Sequence, residues 1–248
     1  MMNPFSLKGK TILVTGASSG IGRATAVECS KAGATVLITG RNEERLKETI
    51  GMMDGENHKI IVSDLSDEKS LSGLVEQCPV LDGLVNNAGR TLMVPTQFIS
   101  RDKLMQVMEV NTIAPILLTQ MLLKKKKLSK GSSIVFTDSI SGVKVVYPGN
   151  ALYSTSKSAI DGFMKNAALE LAGKNIRVNA VCPGMIDTAI LADGSVTEED
   201  IAREMKKYPM KRYGKPEEVA YAIIYFLSDA SSFTTGASLV IDGGFTLA

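Results

Sequence analysis

Tyr153 and Lys157 are the two residues whose types and spacing point most directly to chemistry. Of the six tyrosines, only Tyr153 has a lysine four residues later, and both lie in an apolar-striped segment, 151–171, that predicts a helix. On a helix the two side chains share a face. A free phenol ionises near pH ~10, and an ammonium group within a few ångströms favours the phenolate. The spacing therefore predicts a general acid/base that exchanges a proton with a carbonyl or hydroxyl oxygen.

A glycine-rich turn, T-G-A-S-S-G-I-G at residues 15–22, joins the first predicted strand to a helical pattern. Glycines permit close approach of the backbone to a pyrophosphate, and the N–H groups and dipole of a helix N-terminus attract an anion. Three glycines alone are weak support, but strand, turn and helix together predict a dinucleotide site. The expected contacts in this turn are Gly16, Ser18, Ser19, Gly20, Ile21 and Gly22.

The end of the second predicted strand indicates which dinucleotide binds. A carboxylate there suits the ribose 2′-hydroxyl of NAD, and a basic residue suits the 2′-phosphate of NADP. The sequence has Gly40 and Arg41 at this point, and a guanidinium fork fits a phosphate. The alternative is that Arg41 only opens a surface helix capped by Asn42. The pattern favours NADP(H) over NAD(H), and Asp64 and Leu65, after the third strand, are expected beside the adenine.

Strand-length apolar segments alternate with longer segments of helical periodicity, which predicts βαβ units. The predicted strands are 11–15, 35–39, 59–63, 83–86, 134–137 and 178–182. Strands rich in Val and Ile are covered on both faces, so the sheet should be parallel with right-handed crossovers. The chain is predicted to form a single doubly wound, Rossmann-like α/β domain, 1–248, with helices on both faces. A polar zone at 189–214, with a short helical piece at 198–207, is expected to form a lid.

Composition excludes several other classes of protein. A net charge of +2, from 28 basic and 26 acidic residues, provides no field that recruits nucleic acid or an anionic membrane. The sequence has neither a signal-peptide core nor the ~18 apolar residues of a membrane span. Cys29, Cys78 and Cys182 lack a C-x-x-C spacing, and His58 has no second ligand nearby. We therefore expect a cytoplasmic protein with no metal site and a small-molecule partner.

Four motifs occur in order across the whole chain. They are the turn at 15–22, Asn86-Asn87-Ala88-Gly89, Tyr153-Ser154-Thr155-Ser156-Lys157 and Pro183-Gly184. Together they resemble the short-chain dehydrogenase/reductase family. The resemblance implies a seven-stranded parallel sheet, a homotetramer formed through two long helices and the C-terminal strand region, and hydride transfer between a nicotinamide cofactor and a carbonyl or hydroxyl group.

The resemblance also implies which residues carry the reaction. The family's catalytic tetrad corresponds to Asn111, Ser139, Tyr153 and Lys157. Ser141 is the alternative serine, because the family commonly has a spacing of about thirteen residues to the tyrosine and neither serine matches it. Ser139 is preferred because residues 139–142 align with the family's S-x-x-G. Asp138, directly before Ser139, is less usual and would alter the charge of the site.

Asn111 has a further signature in Pro115, four residues later in an apolar helical segment, 107–123. Proline lacks the N–H that would bond the Asn111 carbonyl, so this carbonyl should be available to another donor. In the family, the kinked helix at this asparagine holds a water that links to the catalytic lysine. The alternative is that Pro115 only bends a packed helix.

The remaining cofactor contacts also follow from the resemblance. Segment 183–188 resembles the one in which backbone groups and a threonine hydroxyl hold the nicotinamide carboxamide. Its expected contacts are Pro183, Gly184, Ile186 and Thr188. The residues expected beside the adenosine ribose are Asn87, Ala88 and Gly89.

The substrate stays open at this stage. Segments 213–220 and 241–244 are similar to acyl-carrier-protein reductases, but sugar-alcohol and hydroxysteroid relatives share them. Lys127, Lys130 and Lys174 would form the basic patch that an acidic carrier protein needs, although 124–127 alone indicates a solvated helix end. A non-catalytic dinucleotide sensor is a further alternative, and it is disfavoured because the catalytic side chains are all present.

Overall fold

Seven parallel strands form one sheet in the computed structural model, which describes residues 3–188 and 205–248. The strands are β1 (Thr11–Thr15), β2 (Thr35–Gly40), β3 (Lys59–Val62), β4 (Leu81–Asn86), β5 (Leu128–Thr137), β6 (Arg177–Pro183) and β7 (Ser238–Ile241). Their order across the sheet is β3-β2-β1-β4-β5-β6-β7, and every neighbouring pair is parallel. The predicted seven-stranded parallel sheet is confirmed.

Helices connect the strands and cover the sheet. They are α1 (Gly20–Lys31), α2 (Glu43–Gly51), α3 (Glu68–Gln77), α4 (Arg101–Met108), α5 (Ala114–Lys124), α6 (Ala151–Ala172) and α7 (Pro216–Leu227). A π-helical turn, Glu109–Ile113, joins α4 to α5, and 3₁₀ turns occur at Thr96–Phe98, Asp229–Ser231 and Phe245–Leu247.

The core lies in two apolar layers, one on each face of the sheet. Side chains alternate between the faces of a strand, so Leu13 joins one layer while Ile12 and Val14 join the other. The first layer packs the sheet against α3, α5 and α6, and the second packs it against α1, α2 and α7. The predicted doubly wound architecture, with helices on both faces, is therefore confirmed.

The strand order reverses between β1 and β4, because the chain first adds strands on one side of β1 and then on the other. In open α/β sheets, ligands bind at such a switch point, beyond the carboxyl ends of the strands. The strands ending at this edge include β1 at Thr15, β4 at Asn86 and β5 at Thr137. The fold thus brings the glycine-rich turn and the predicted catalytic segments to one edge.

The differences from the predicted elements are local. Strand β5 begins six residues earlier than predicted, through a polar stretch at Leu128–Gly131 that hydrophobic patterning does not identify as strand. The short strand β7, implied only by the resemblance, is half-buried. His58 is half-buried, and its Nδ1 accepts the Val36 backbone N–H at 3.1 Å and so ties β2 to the loop before β3.

The sequence also led to predictions about a lid, metal sites and membrane spans. Of the predicted lid, residues 189–204 lie outside the described residues, as does most of its helical piece. In the described ranges, no group of three or more His, Cys, Asp or Glu side chains is arranged to hold a metal ion. Among the helices of those same ranges, none is long and apolar enough to cross a membrane.

Candidate active site

The glycine-rich turn packs directly against the segment that follows β4. A Cβ added at Gly16 would lie 2.7 Å from the Ala88 Cα, and Gly16 has a φ of +66°, which side chains rarely adopt. A Cβ at Gly22 would lie 2.2 Å from the Gly16 carbonyl oxygen. Both positions therefore need glycine, because the first turn of α1 is pressed against the loop that it follows.

Polar side chains fix this contact between the two segments. The Thr15 hydroxyl donates to the Val85 carbonyl at 3.2 Å and accepts the backbone N–H groups of Asn87 and Ala88, each at 3.0 Å. The Asn87 side-chain amide donates to the Thr15 carbonyl at 3.1 Å. These hydrogen bonds therefore hold the glycine-rich turn and the end of β4 in a fixed position relative to each other.

The N-terminus of α1 has no side-chain cap within the described residues. Ser19 occupies the N-cap position, yet its side chain makes no capping hydrogen bond. The Arg23 guanidinium instead braces the turn by donating to the Ser18 carbonyl at 2.7 Å and to Glu48 at 2.8 Å. The first backbone N–H groups of a helix and its dipole suit an anion, so this turn can accept a phosphate.

Arg41 and Asp64 stand at neighbouring strand ends beside this turn. Arg41 is exposed, and within the described ranges it makes no ion pair, so its guanidinium is available to a ligand. Asp64 accepts the Ser66 hydroxyl at 2.6 Å and the Ser66 N–H at 3.0 Å, and these bonds hold the pKa of its carboxyl below the ordinary value. Leu65, the neighbour of Asp64, is buried.

The segment after β6 returns to the glycine-rich turn. The methyl carbon of Thr188 lies 3.2 Å from the position that a Cβ would take at Gly20. The Gly184 N–H donates to the Ile241 carbonyl at 2.9 Å, and Ile186 forms a backbone bridge with Gly214. The structure thus brings the sequence-predicted phosphate and nicotinamide segments together.

Tyr153 and Lys157 lie one turn apart on α6, with the Lys157 Nζ 5.6 Å from the centre of the Tyr153 ring. Lys157 is buried, with 4% of its surface exposed, and its Nζ donates to the Thr137 carbonyl at 2.7 Å. The Tyr153 hydroxyl makes no hydrogen bond to any described residue, and the side chain is partly exposed. A buried ammonium group therefore stands beside a phenol that is open to a ligand.

The two candidate serines have different surroundings. The Ser139 hydroxyl accepts the Ser141 N–H at 3.0 Å, which leaves its own hydrogen available to donate. The Ser141 hydroxyl is engaged inside the loop, because it accepts the Asn150 amide at 2.9 Å and bonds Ser154 at 3.0 Å. These contacts favour Ser139 over Ser141 as the serine that meets a ligand.

Gly142 fastens the loop after β5 to α6. Its φ is +85°, and an added Cβ would lie 2.3 Å from the Ser154 carbonyl oxygen. The Ser158 hydroxyl donates to the Gly142 carbonyl at 2.9 Å. This close contact sets Ser139 in a fixed position relative to the helix that carries Tyr153 and Lys157.

Asn111 lies in the π-helical turn and is buried. The Ala114 N–H donates to the Glu109 carbonyl, an i to i+5 bond that interrupts the α-helical ladder just before Pro115. The Asn111 side chain donates to the Arg90 carbonyl at 2.9 Å and accepts the Arg90 N–H at 2.8 Å. The helix irregularity expected from Pro115 is therefore a π-bulge, which is a frequent feature of functional sites.

Sequence reasoning did not identify Ser156 as part of this arrangement. Its hydroxyl accepts the Asn111 amide at 3.0 Å and donates to the Tyr153 carbonyl at 2.7 Å, and its own carbonyl accepts the Thr112 hydroxyl at 3.0 Å. Ser156 thus joins the π-helical turn to α6. Nothing in a single serine between Tyr153 and Lys157 signals this contact before the helices are packed.

Comparison with known proteins agrees with a dinucleotide-dependent oxidoreductase site. A family model described as enoyl-(acyl carrier protein) reductase matches residues 16–246. The 3-oxoacyl-[acyl-carrier-protein] reductase FabG of Thermotoga maritima is 36% identical over 97% of this chain and 99% of its own. The protein of the same name from Aquifex aeolicus is 38% identical over 96% and 98% of the two chains.

Solved structures of similar fold are also described as dehydrogenases. A protein from Beutenbergia cavernae, described as an NAD(P)-dependent gluconate 5-dehydrogenase with NADP bound at low occupancy, has a TM-score of 0.89 and 33% identity. It aligns over 99% of this chain and 100% of its own. A protein from Agrobacterium tumefaciens described as a gluconate dehydrogenase has a TM-score of 0.91 and 27% identity over the full length of both chains.

The chain belongs to the short-chain dehydrogenase/reductase family. It is accordingly an NAD(P)-binding oxidoreductase that acts on CH–OH and C=O groups.

The contact at Gly16 provides a test of where the dinucleotide binds. We expect Gly16→Ala to destabilise the protein by about 1–3 kcal/mol, because the new methyl group meets backbone and the positive φ is strained. It should also lose the thermal stabilisation that NAD(P)H gives the parent protein. Differential scanning fluorimetry with and without cofactor measures both effects.

Gly162→Ala is the matched control, because Gly162 lies in α6 with nothing within 4 Å of its would-be Cβ. This change should stabilise the helix by about 0.5–1 kcal/mol and leave the cofactor-induced shift unchanged. A Gly16→Ala protein with the parent's stability and cofactor shift would contradict the proposed location.

Proposed function

We propose that this protein is an NADP(H)-dependent oxidoreductase that transfers a hydride between the nicotinamide and a ketone or secondary alcohol. The observation that carries the proposal is the buried Lys157 ammonium beside a Tyr153 phenol that bonds no described residue, with Ser139 at the start of the loop that packs on the same helix. In water a phenol is a poor acid/base at neutral pH, and a neighbouring cation in a low-dielectric site favours the phenolate form. The arrangement therefore suits proton transfer to or from a substrate oxygen.

The residues divide the reaction between them. The reduced nicotinamide, when bound, supplies the hydride. Tyr153 donates a proton to the ketone oxygen during reduction and accepts one from the alcohol during oxidation. Ser139 donates a hydrogen bond to the same oxygen and so holds the carbonyl in place. Lys157 keeps a positive charge beside the phenol, and Asn111 holds the π-helical turn against the segment at Arg90.

The proposed cofactor site extends along the edge where the strands end. The turn at Gly16–Gly22 would hold the pyrophosphate, Asp64 and Leu65 would lie at the adenine, and the segment after β4 would lie at the ribose. Pro183, Gly184, Ile186 and Thr188 would hold the carboxamide. The fit rests on the glycine contacts, which leave no room for a Cβ, and on the uncapped N-terminus of α1.

The preference for NADP(H) rests on Arg41. This guanidinium is exposed after β2, and no carboxylate stands at the strand end to bind a ribose 2′-hydroxyl. The hydrogen bond from Ser66 is the main cause that lowers the pKa of the Asp64 carboxyl, and the Arg41 guanidinium lowers it slightly further. A guanidinium with no salt bridge in the described part of the chain suits a phosphate dianion.

A 3-oxoacyl thioester is the substrate class that we favour, since curated relatives at 35% and 38% identity are described as 3-oxoacyl-[acyl-carrier-protein] reductases. Lys130 and Lys174 are exposed and available to an acidic carrier protein. Lys127 is not, because its Nζ donates to the carbonyls of Glu76 and Cys78. The predicted basic patch is therefore reduced to two lysines.

A sugar-derived alcohol is the second candidate. The gluconate dehydrogenases among the solved structures superpose on this chain with TM-scores of 0.89 and 0.91. The loop between β5 and α6 follows Ser139 and bonds the segment after Met93, where the Val94 N–H donates to the Gly149 carbonyl at 2.7 Å. Loops of this kind adapt freely to different substrates.

The proposal includes assembly as a homotetramer. Large apolar side chains are exposed on the elements through which the family resemblance implies assembly. They include Leu169 on α6, Phe233 before β7, Leu239 on β7 and Leu247 at the C-terminus. Exposed large apolar side chains on these elements fit a face that another subunit covers.

Tyr153→Phe tests the reaction itself. We expect turnover to fall by about 10²–10⁴-fold, because the ring remains while the transferable proton is lost, and cofactor affinity should stay near that of the parent. The assay is the loss of NADPH absorbance with a panel of acetoacetyl thioesters, sugar-derived ketones, steroids and diketones. Undiminished turnover in the variant would remove Tyr153 as the acid/base.

A pair of serine variants separates the two candidates. Ser139→Ala should lower kcat by about 10²–10³-fold, since a hydrogen bond to the reacting oxygen is lost. Ser141→Ala should mainly reduce stability, by about 0.5–1.5 kcal/mol, because its hydroxyl bonds only loop and helix groups. Steady-state kinetics and urea unfolding of both proteins give the comparison, and the reverse ranking would assign the role to Ser141.

Arg41→Ala tests the cofactor preference. The Kd for NADPH should rise about 10–100-fold, the value of a charge-assisted contact to phosphate, while the Kd for NADH changes little. Fluorescence titration measures both constants. Arg101→Ala, at an exposed arginine that opens α4, is the control and should alter neither. Equal losses for both cofactors would mean that Arg41 does not contact the 2′-phosphate.

A further inference from the structure

Asp138 is a buried carboxylic acid at the end of β5 that the proposed mechanism does not use. Only 2% of its surface is exposed, and its backbone N–H donates to the Val181 carbonyl at 2.8 Å. Side chains alternate along a strand, and Ile134 and Phe136 both face the apolar layer under α6. Asp138 continues this alternation and therefore faces α6 as well.

The carboxyl oxygens of Asp138 have no hydrogen-bond partner of normal geometry among the described residues. Buried polar side chains are nearly always hydrogen-bonded, because an unpaired one loses its hydration without compensation. A neutral residue at this position would avoid the cost. The Asp138 carboxyl makes no hydrogen bond of normal geometry, to the parts of the chain that the structure describes, that would stabilise the fold. Residues that break a rule of local stability in this way are often found at functional positions.

The side of α6 that faces Asp138 carries a stripe of three charges, Lys157, Asp161 and Lys165, spaced by four residues. Two of them are engaged with each other, since the Lys165 Nζ bonds an Asp161 oxygen at 2.5 Å. The other oxygen of Asp161 accepts the Ser238 hydroxyl at 2.7 Å. Lys157 is therefore the cation of the stripe that has no carboxylate paired with it.

Lys157 and Asp138 are linked through one peptide group. The Lys157 ammonium donates to the Thr137 carbonyl, and that carbonyl belongs to the peptide bond leading into Asp138. The residue after Asp138 is Ser139. The unpaired acid thus lies between the group that holds the lysine and the serine of the site.

We propose that Asp138 is a positioning residue whose charge, acting through the Lys157 ammonium, sets how readily Tyr153 releases its proton. An ionised Asp138 cancels part of the positive field that Lys157 directs at the phenol, and a neutral Asp138 leaves that field intact. The inference rests on the proposed acid/base role of Tyr153.

The surroundings of Asp138 place its change of charge near neutral pH. Burial raises the pKa of its carboxyl to about 7, the Lys157 ammonium opposes the rise, and Asp161 adds to it. The Ser139 N–H and Lys165 have smaller lowering effects. From β6 the group that faces Asp138 is the Cys182 thiol, whose pKa burial and the nearby acids raise to about 12, so it stays uncharged.

The direct test is the ionisation of Tyr153, followed by the ultraviolet absorbance of its phenolate and isolated by subtracting the Tyr153→Phe protein. The same subtraction is made in an Asp138→Asn background. We expect Tyr153 to ionise at a lower pH in the Asp138→Asn protein, because a negative charge near Lys157 has been removed. Coincident titrations in the two backgrounds would overturn the proposal.

Asp161→Asn is the matched control, since it removes a carboxylate from the same stripe that is already hydrogen-bonded. Asp161 raises the pKa of Asp138, so its removal should move the Asp138 titration to lower pH without abolishing it. ¹³C NMR of aspartate labelled at the carboxyl carbon follows this titration, and the Asp138→Asn spectrum identifies the resonance. An Asp138 resonance that titrates near the ordinary carboxyl pKa of about 4 would also overturn the proposal.

Stability provides a readout that needs neither substrate nor cofactor. A raised native pKa means that Asp138 stabilises the protein fully below its unfolded pKa and loses this contribution as the pH rises through 7. The stability of Asp138→Asn relative to the parent should therefore increase between pH 4 and pH 8. A difference that is constant across this range would overturn the proposed ionisation, and Asp138→Ser must give the same trend.

These measurements separate the proposal from the proposed function. A shifted phenol titration in a protein that reduces no carbonyl would refute the reaction and support the coupling. In an active enzyme, we expect the pH profile of kcat/KM to have a step near pH 7 that Asp138→Asn lacks. Superimposable profiles would refute the coupling and leave the reaction standing.

Discussion

The buried hydrogen bond from the Lys157 ammonium to the Thr137 carbonyl is the interaction on which the site depends. It joins the second turn of α6 to the end of β5, and so it fixes a cation at the edge where the parallel strands end. Tyr153 is placed by the same helix, and Ser139 by the same strand. A charge buried to this extent is tolerated because a backbone acceptor and a nearby phenol ring compensate part of its lost hydration.

Further hydrogen bonds fix the positions of the segments around Lys157. The π-helical turn carries Asn111 to Ser156, and Ser156 in turn bonds the Tyr153 carbonyl, so two segments distant in sequence meet on one side of α6. At the switch point itself, Thr15 joins the glycine-rich turn to the end of β4. The proposed proton-transfer groups and the glycine-rich turn therefore rest on a single continuous sheet.

The sequence predicted the sheet, its coverage on both faces and the residues that gather at its edge, because those features follow from local periodicity and short motifs. The beginning of β5 was missed because its residues are polar and join the sheet by backbone pairing to β4. The role of Ser156 depends on which helices pack together, and the choice between Ser139 and Ser141 depends on hydrogen bonds. The lack of a partner for Asp138 is equally invisible in sequence, where an acid beside a serine is unremarkable chemically.

The contact between Gly142 and α6 divides the loop before this helix into a part that is packed on the helix and a part that is not. Residues up to Gly142 are clamped by the Ser154 and Ser158 groups, whereas 143–150 extends beyond the clamp toward Met93 and Phe245. Selection on ligand preference can lengthen or rewrite that outer stretch without disturbing the chemistry, which makes it a natural place for relatives with a common core to diverge.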